Sequence, residues 1–408
     1  MEGLDSLRLK AELLVEGVRA TGSALAEVGT AHKEQNHGLF GWDFEDHPDK
    51  ALPDDFLLPD GTVVQFRQSG RSRYVVDVEG GRPVLSDLGP VLSDLGPVLS
   101  HHGPVLSDRG PAPSGGGRTV CKVEWLPRPS FYSETTSAGN KMVSIGQVGG
   151  EDCLFFCYHN YCSHFARGRQ CLFCNLVSTS RTYDSVLKRK DIDEIGEVAA
   201  TGFGYESVRH VLLTGGCFKH EAEIELVRSI LGSIARRAGL DRIPGTVLPS
   251  PAKTREEIRA YHDAGIGAIG FSMEIWDEGL YRAICPGKAE TTSHDQFLES
   301  IETAVDVFGA GNVYGVLVMG LEPRDTFLEG VRTLTGLGAN VVPFVWSPNP
   351  GSRLEGHRAP SASWYVDTIV EAADIVVAGA IPSGVENHCY KCDGNSLLHD
   401  ALRLKGIQ

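Results

Sequence analysis

Five cysteines crowd one short stretch in the middle of the chain. Cys153, Cys157, Cys162, Cys171 and Cys174 fall within 22 of the 408 residues, although the chain has ten cysteines in all. In a reducing compartment such clustering indicates ligands of a metal or an iron–sulfur cluster rather than disulfides. The C-x2-C pair Cys171 and Cys174 can bring two thiolates to one centre, and Cys162 is the simplest third ligand, giving C-x8-C-x2-C. Iron–sulfur clusters usually take four cysteines, so three ligands would leave one iron open.

Zinc is the competing interpretation of the same stretch, because closed zinc sites take four Cys or His ligands at comparable spacings. The residues that could form such a site are Cys162, His164, Cys171 and Cys174. This alternative predicts a zinc-binding scaffold that is not an enzyme. Cys153 is better explained as a small buried residue of a strand, and Cys157 is a reserve ligand.

Three further motifs follow apolar runs at positions where a ligand could bind. The run Val211–Leu213 leads into Thr214, Gly215 and Gly216, and glycine lets a backbone approach a ligand closely. Two acids stand at the ends of later apolar runs, Glu274 after GFSM and Glu322 after VLVMGL. Two cations, Arg282 and Lys288, follow Glu274, and either could pair with a carboxylate or phosphate. A C-x2-C near the end, Cys389 and Cys392, could bind a second metal or act as a redox pair.

The elements that must position these residues form a regular alternation from about residue 140. Strands are predicted at 154–158, 208–213, 245–248, 268–272, 313–319 and 341–346, and helices at 190–201, 221–238, 254–264, 294–308, 325–337 and 362–374. Repeated β–α units with apolar strands imply a parallel sheet covered by helices. Six units predict a partial (βα)6 barrel of the TIM type, with its working residues at the C-terminal ends of the strands.

A different organisation precedes the barrel. An amphipathic helix is predicted over residues 5–28, followed by short β-rich runs, so residues 1–82 form an N-terminal α+β appendage. The repeats PVLSDLG, PVLSDLG, PVLSHHG and PVLSDRG then place a proline in every seven residues, which forbids a continuous helix. Residues 83–117 are therefore predicted to be a flexible insertion. Residues 118–380 would form the barrel and 381–408 a C-terminal tail that carries the second C-x2-C.

The cysteine loop resembles the cluster loop of radical S-adenosylmethionine (SAM) enzymes, down to the aromatic Phe173 before the last cysteine. The commonest spacing in that family is C-x3-C-x2-C, and this loop is stretched, more like that of the Elongator catalytic subunit family. Downstream, residues 294–334 and the run Val345–Ser352 resemble units of biotin synthase-like members. The similarity spans about residues 150 to 375.

The resemblance implies a 4Fe–4S cluster on Cys162, Cys171 and Cys174, with SAM bound to the open iron. It also implies that the Thr214-Gly215-Gly216 segment receives the amino group of SAM, and that the strand-end acids Glu274 and Glu322 contact SAM or substrate. Reduction would cleave SAM to methionine and a 5′-deoxyadenosyl radical, which abstracts hydrogen from the substrate. A flavodoxin or ferredoxin would supply the electron.

The amino-acid composition limits the class of substrate. The formal net charge of −15 opposes broad binding to nucleic acid, whose phosphates need a basic surface, so a small metabolite of specialised biosynthesis is expected. RNA modification is the alternative that the stretched loop favours. The N-terminus does not have the pattern of a signal peptide, and no apolar run is long enough to cross a membrane, so a cytoplasmic location is expected.

Overall fold

A computed structural model describes residues 3–35, 51–89, 117–176, 190–205, 207–218, 220–381 and 393–407. The chain opens with helix α1 (Gly3–Glu16), which is shorter than the predicted helix over 5–28. Gly17 ends it with a φ of 74°, and the chain continues as strand β1 (Arg19–Ala20). A left-handed residue after the last turn is a common helix stop. The second half of the predicted helix is therefore wrong.

The N-terminal unit is built from two small sheets. Its further strands are β2 (Asp55–Leu57), β3 (Val63–Gln65), β4 (Tyr74–Glu79), β5 (Arg82–Asp87), β6 (Arg118–Lys122) and β7 (Glu124–Trp125). One sheet has the order β1-β4-β5-β6 and the other β3-β2-β7. They enclose a hydrophobic core of their own, in which Trp125 meets Phe56 and Phe66 edge to face. The predicted α+β character of the appendage agrees with these elements.

The first heptad of the repeat belongs to this unit, and this corrects the predicted domain boundaries. Residues 83–87 lie in β5, which pairs with β4 and β6. A hairpin joins β4 to β5 because Gly80 and Gly81 both take positive φ, as a two-residue type I′ turn requires. The predicted insertion thus starts after residue 87, and the predicted barrel start at 118 falls inside β6. The later repeats, at 90–110, lie outside the described residues.

A seven-stranded sheet forms the larger part of the molecule. Its strands are β8 (Gln147–Gly149), β9 (Cys153–Cys157), β10 (His210–Thr214), β11 (Ile243–Val247), β12 (Ile266–Glu274), β13 (Val313–Met319) and β14 (Asn340–Val345). They pair in sequence order, and β9 to β14 are all parallel. The six predicted parallel strands are confirmed. The antiparallel edge strand β8 was not predicted.

Helices follow each parallel strand. After the short helices α2 (Met142–Ile145) and α3 (Ser163–Ala166) come α4 (Ile192–Phe203), α5 (His220–Ala238), α6 (Arg255–Asp263), α7 (Glu278–Ile284), α8 (Pro286–Thr291), α9 (His294–Phe308), α10 (Arg324–Gly336), α11 (Ala362–Gly379) and α12 (Leu398–Leu404). The alternation is the predicted partial (βα)6 barrel. Strand β13 is buried along its whole length, as expected of a parallel strand covered on both faces.

The N-terminal unit lies across the gap between the two edge strands of this open barrel. At the β8 edge, Lys33 Nζ donates to the carbonyls of Val148 (2.9 Å) and Gly150 (2.7 Å). On the other side, the N–H of Gln65 donates to the Gly394 carbonyl at 3.1 Å. The next residue of that C-terminal segment, Asn395, accepts from the N–H of Val345 in β14 at 3.0 Å. The appendage and the segment 393–396 therefore close the side of the barrel.

The C-terminal tail is anchored to the first helix. Lys10 Nζ of α1 lies 2.8 Å from Asp400 Oδ2 of α12, and both side chains are buried. Cys389 and Cys392 lie outside the described residues. Within the described part of the chain, no helix is both long and apolar enough to cross a membrane.

Candidate active site

The predicted site residues gather at one rim of the barrel. The cysteine loop follows β9, Thr214 ends β10, and Glu274 ends β12. Parallel pairing of neighbouring strands brings these ends to the same edge of the sheet. This rim is the C-terminal face on which barrels of this type carry their working residues.

Cys162 has an environment that favours a thiolate. It stands directly before helix α3, and hydrogen bonding lowers its pKa well below the usual value, with the Cys217 thiol as the largest contribution and the backbone N–H groups at the start of α3 as smaller ones. The same hydrogen bond, together with burial, raises the pKa of Cys217. Only the thiolate is a good metal ligand, so Cys162 is suited to bind iron.

The other two predicted ligands lie close to Cys162. Burial raises the pKa of Cys174, and the charges of Cys171 and Cys162 raise it further. Another buried thiol, Cys285, has a raised pKa because of burial and a hydrogen bond with Cys171. Several thiols in one buried neighbourhood repel each other as thiolates, and a cationic centre would relieve that repulsion.

The three cysteines are the residue type that binds an iron–sulfur cluster, although their thiols do not converge on one metal position. Among the residues that the structure describes, no three His, Cys, Asp or Glu side chains have the geometry of a metal site. The same holds for the zinc alternative among the described residues, because its ligand set includes these three cysteines. The assignment of Cys162, Cys171 and Cys174 stays a prediction.

The two remaining cysteines of the cluster have other surroundings. Cys157 is buried in β9, and its thiol lies 2.8 Å from Asn160 Oδ1 and 3.4 Å from the His159 carbonyl. Cys153 is buried at the start of the same strand and packs against Val63 of the appendage. The burial of Cys153 agrees with its interpretation as a small buried residue of a strand, and Cys157 stays a reserve ligand.

Thr214, Gly215 and Gly216 lie directly against the cysteine loop. A Cβ on Gly216 would stand 2.1 Å from the Tyr161 carbonyl oxygen and 2.9 Å from Cys162 Cβ. A Cβ on Gly215 would meet the ring of Tyr158 at 2.5 Å. The loops are also joined by a hydrogen bond from the N–H of Ser163 to the Cys217 carbonyl at 2.8 Å. The glycines thus allow two loops to pack at contact distance, a role that the sequence alone did not indicate.

Glu274 forms a buried ion pair with Lys288. Lys288 Nζ lies 2.5 Å from Glu274 Oε1 and 2.9 Å from the Ser272 carbonyl. Glu274 has a φ of 72°, a conformation that costs a non-glycine residue about 1–3 kcal/mol and is found mostly at functional sites. Burial disfavours the charged form of Lys288, but the Glu274 carboxylate and the neighbouring thiols together raise its pKa, so Lys288 carries a positive charge at the rim.

Glu322, which follows strand β13, holds the loop that follows β12. Its two carboxylate oxygens accept hydrogen bonds from the N–H groups of Trp276 and Asp277, each at 2.9 Å. Burial raises the pKa of Glu322, and these hydrogen bonds offset only part of the rise. Glu322 is not among the residues that line either cavity of the barrel. It positions the loop after β12, and its contact with SAM or substrate stays a prediction.

Two adjoining cavities open from this rim. The first, here called the mouth cavity, has a volume of about 240 Å³ and is lined by Thr214, Gly215, Cys217, Glu223, Ser272 and Lys288 among others. The second, the barrel cavity, has a volume of about 340 Å³. Apolar residues of the strands line it, among them Phe155, Leu212, Val316, Val318, Phe344 and Trp346. Thr214, Leu248 and Ser272 line both cavities, so the two are neighbours.

The barrel cavity has a wall that sequence reasoning missed. Asp54, Asp55, Gln65 and Arg67 of the N-terminal unit line it together with the strands. No pattern in the sequence marked these residues, because their position depends on how the appendage lies across the open side of the sheet. Lys288, in contrast, was suggested by its place after the Glu274 motif.

Comparison with known proteins found one curated relative and several solved structures of similar fold. No family model matches the chain. The chain is 25% identical over 266 residues to the bacteriochlorophyllide c C-7(1)-hydroxylase of Chlorobaculum limnaeum, a match that covers 61% of this chain and 65% of the relative. It thus spans just under two thirds of that relative's length.

Solved structures with a similar arrangement include radical SAM enzymes. Methylornithine synthase (PylB) is 18% identical, with a TM-score of 0.42, over 57% of this chain and 64% of that one. Coproporphyrinogen III oxidase (HemN) from Escherichia coli, a radical SAM enzyme, is 11% identical, with a TM-score of 0.40, over 61% of this chain and 58% of that one. At these TM-scores neither structure guides the geometry of the site.

One of these solved structures is a radical SAM enzyme, the class that the cysteine loop and the strand-end motifs of this chain resemble. The predicted fold class is confirmed independently by the strand order of the chain itself. The reaction for which the relative from Chlorobaculum limnaeum is named belongs to that protein.

Proposed function

We propose that the chain is a radical SAM enzyme that acts on a small-molecule substrate in a biosynthetic pathway. The observation that carries the proposal is the contact between Gly216 and Cys162, which joins the glycine segment after β10 to the cysteine loop after β9. These are the two segments that the resemblance assigns to SAM and to the cluster. They come from positions 54 residues apart, and the fold places them at one rim.

Cys162, Cys171 and Cys174 would hold a 4Fe–4S cluster, and SAM would occupy the mouth cavity beside it. When bound, the two supply reductive cleavage of SAM, in which one electron from a reduced flavodoxin or ferredoxin breaks a carbon–sulfur bond and the resulting 5′-deoxyadenosyl radical takes a hydrogen atom from the substrate. Thr214 and Gly215, at the end of β10, line the mouth cavity and would receive the polar end of SAM.

The ion pair between Lys288 and Glu274 would orient SAM at the rim. Lys288 lines the mouth cavity, while Glu274 lines the barrel cavity, so the pair stands at the boundary of the two. The cation suits the carboxylate of SAM. The short contact with Glu274 restricts the lysine to one direction, which reduces the entropy lost when it binds.

The barrel cavity would hold the substrate. Its strand residues are mostly apolar and buried, and they exclude the water that would react with a radical. The relative from Chlorobaculum limnaeum is named for a reaction on bacteriochlorophyllide c, which supports a small molecule over RNA for this chain. The net charge of −15 supports the same choice.

The proposal is tested by anaerobic reconstitution of the full chain with iron and sulfide, followed by incubation with SAM and dithionite. A brown protein that forms 5′-deoxyadenosine supports it. The variant G216A, in which the added methyl group would displace the cysteine loop, provides a matched protein with an altered rim. A colourless protein that retains stoichiometric zinc and forms no 5′-deoxyadenosine would refute the proposal in favour of the zinc scaffold.

A further inference from the structure

The stretch between the first two predicted iron ligands carries an exposed basic surface. Eight residues separate Cys162 from Cys171, and two of them are the arginines Arg167 and Arg169. Both arginines are exposed, and so is Gly168 between them. The longer spacing that distinguishes this loop from the commonest C-x3-C-x2-C pattern therefore adds positive charge to the protein surface beside the predicted ligands.

A second segment extends this basic surface. Arg353, in the loop after β14, donates from Nη2 to the Gly168 carbonyl at 3.4 Å. The N–H of Leu354 donates to the carbonyl of Leu172, inside the C-x2-C pair, at 3.2 Å. Arg358 follows in the same loop and is exposed. The arginine patch, as it is called below, consists of Arg167, Arg169, Arg353 and Arg358.

The charge of the arginine patch is only partly neutralised by acids. Arg169 pairs with Glu290 at 2.6 Å, and it is the one arginine of the patch that takes part in an ion pair between described residues. Glu355 is the one acid in the segments 161–170 and 353–358. Four arginines against these two acids leave two positive charges in excess, in a chain whose formal net charge is −15. A local basic surface of this kind attracts an acidic partner.

An exposed aromatic side chain stands at the start of the same loop. Tyr161 directly precedes Cys162 and is 55% exposed, more than any other large hydrophobic side chain among the residues that the structure describes. Aromatic residues and arginine are enriched at protein–protein interfaces, where tyrosine and arginine supply much of the binding energy. The chemistry of this surface therefore suits a protein partner.

We propose that the arginine patch and Tyr161 form the docking surface for a small acidic electron-carrier protein. This inference rests on the proposed function, in which the chain takes one electron from a reduced carrier; the carrier is oxidised and no atom is transferred. A carrier bound to residues 161–170 would lie on the loop that holds all three predicted ligands. Electron-transfer complexes bury little surface, and complementary charge speeds their formation.

RNA is the competing occupant of a basic surface. An extended polyanion would continue past the arginine patch onto the rest of a chain with a net charge of −15, where its phosphates would be repelled. The contact of a small globular carrier ends at the patch. The limited extent of the basic surface therefore favours the carrier.

The test uses the full chain reconstituted with iron and sulfide and two carriers, an acidic flavodoxin and a plant-type ferredoxin. Isothermal titration calorimetry measures their affinities at about 50 mM and about 500 mM salt, because the higher concentration screens exposed charges. The charge-reversal variant is R167E/R353E. Its matched control is R209E/R242E, which reverses two exposed arginines directly before β10 and β11, at the opposite end of the barrel. Arg242 donates to a carbonyl at 3.4 Å, as Arg353 does.

At least one carrier is expected to bind the wild type, and to bind about tenfold or more weakly at the higher salt. At the lower salt R167E/R353E should weaken binding by about tenfold or more, and R209E/R242E by less than about twofold. No binding of either carrier, binding that salt does not change, or equal losses in the two variants would overturn the inference. If thermal unfolding or the iron content shows that R167E/R353E is misfolded, R358E and the salt dependence decide.

A single-stranded oligoribonucleotide is titrated under the same conditions. Weak binding that R167E/R353E does not change supports the carrier as the occupant. Binding that is tighter than that of either carrier and is lost in R167E/R353E would assign the arginine patch to RNA and overturn the inference.

Dithionite separates this inference from the proposed function, because so small a reductant needs no docking surface. A wild type that forms 5′-deoxyadenosine with dithionite but binds no carrier would lose only the docking surface. A protein whose carrier binding depends on the arginines but which forms no 5′-deoxyadenosine would keep the docking surface and lose the proposed function. R167E/R353E should form 5′-deoxyadenosine with dithionite within about twofold of the wild-type rate.

Discussion

Lys288 Nζ and Glu274 Oε1 lie 2.5 Å apart at the point where strand β12 ends in a left-handed backbone conformation. The two side chains are 15% and 13% exposed, so the pair is largely removed from water. A strained residue and a buried ion pair at the same place are typical of a functional site.

Breaking that pair is expected to be costly. K288M leaves the Glu274 carboxylate buried without its cation, which should lower the free energy of unfolding by about 3–5 kcal/mol. The matched control is E278Q, because Glu278 pairs with Arg282 at 3.0 Å while both side chains are more than half exposed. That change should cost no more than about 1 kcal/mol. Urea unfolding followed by circular dichroism measures both, and equal costs would contradict the prediction.

Replacement of the predicted iron ligands should abolish the cluster. In C162A, C171A and C174A we expect the iron content after reconstitution to fall from about four atoms per chain to below one. C153A is the control, since Cys153 is buried at the start of β9 and packs on Val63. Iron analysis and the visible absorption band provide the measurement. If C162A keeps its iron and C157A loses it, the first ligand is Cys157.

A methyl group at Gly216 should disturb the cysteine loop. Its Cβ would lie 2.1 Å from the Tyr161 carbonyl oxygen, so the loop must move in G216A. We expect about 1–3 kcal/mol of destabilisation and weaker retention of iron. G336A is the matched control because nothing lies within 4 Å of the added Cβ. It should change stability by less than about 1 kcal/mol. A G216A protein as stable and as rich in iron as G336A would show that the contact is not needed.

The appendage should make stability depend on pH near neutrality. Burial, together with the neighbouring Asp55 charge, raises the pKa of Asp54 to about 7, above the value near 3.9 of an unfolded chain. Between these values the folded protein binds the proton more tightly than the unfolded protein. Stability contributed by the protonated acid is therefore lost as the pH rises from about 4 to above 7.

The variant D54N removes this titration. We expect the wild type to lose about 1–2 kcal/mol relative to D54N between pH 5 and pH 8, a reduced figure because the carboxylate is 22% exposed and close to Lys33. Parallel urea titrations of the two proteins across this pH range provide the measurement. Identical pH profiles would show that Asp54 is ionised throughout.

Much of the barrel was predictable because its strands and helices have strong local signals. The run Val313–Met319 is apolar throughout, and helix α9 begins at a Ser293 cap, so both elements have the predicted bounds. The antiparallel strand β8 has only three residues, too few for a pattern. The helix over 5–28 was overextended because its apolar residues continue past Gly17 into the turns of the appendage.

The sequence predicted the residue types that form the site better than it predicted the contacts between them. The cysteine spacing and the Thr214-Gly215-Gly216 segment identified the rim, while the position of Glu322 under the loop of Trp276 did not follow from its place after a strand. Arg67 carried no signal at all, since a single arginine in a short β-rich run looks solvent-exposed. Its burial depends on how the chain folds back on helix α1, where the Leu14 carbonyl accepts a hydrogen bond from its guanidinium.

Because the appendage covers the open side of the barrel, two separate stretches of chain would generate the radical and bind the substrate. The thiols that would produce the radical follow β9, whereas the polar wall that would choose its target comes from residues 54 to 67. Under the proposed function, exchange of that wall would change the substrate and leave the radical-generating residues unchanged. Chimaeras that carry a foreign appendage on this barrel are therefore expected to differ in substrate range.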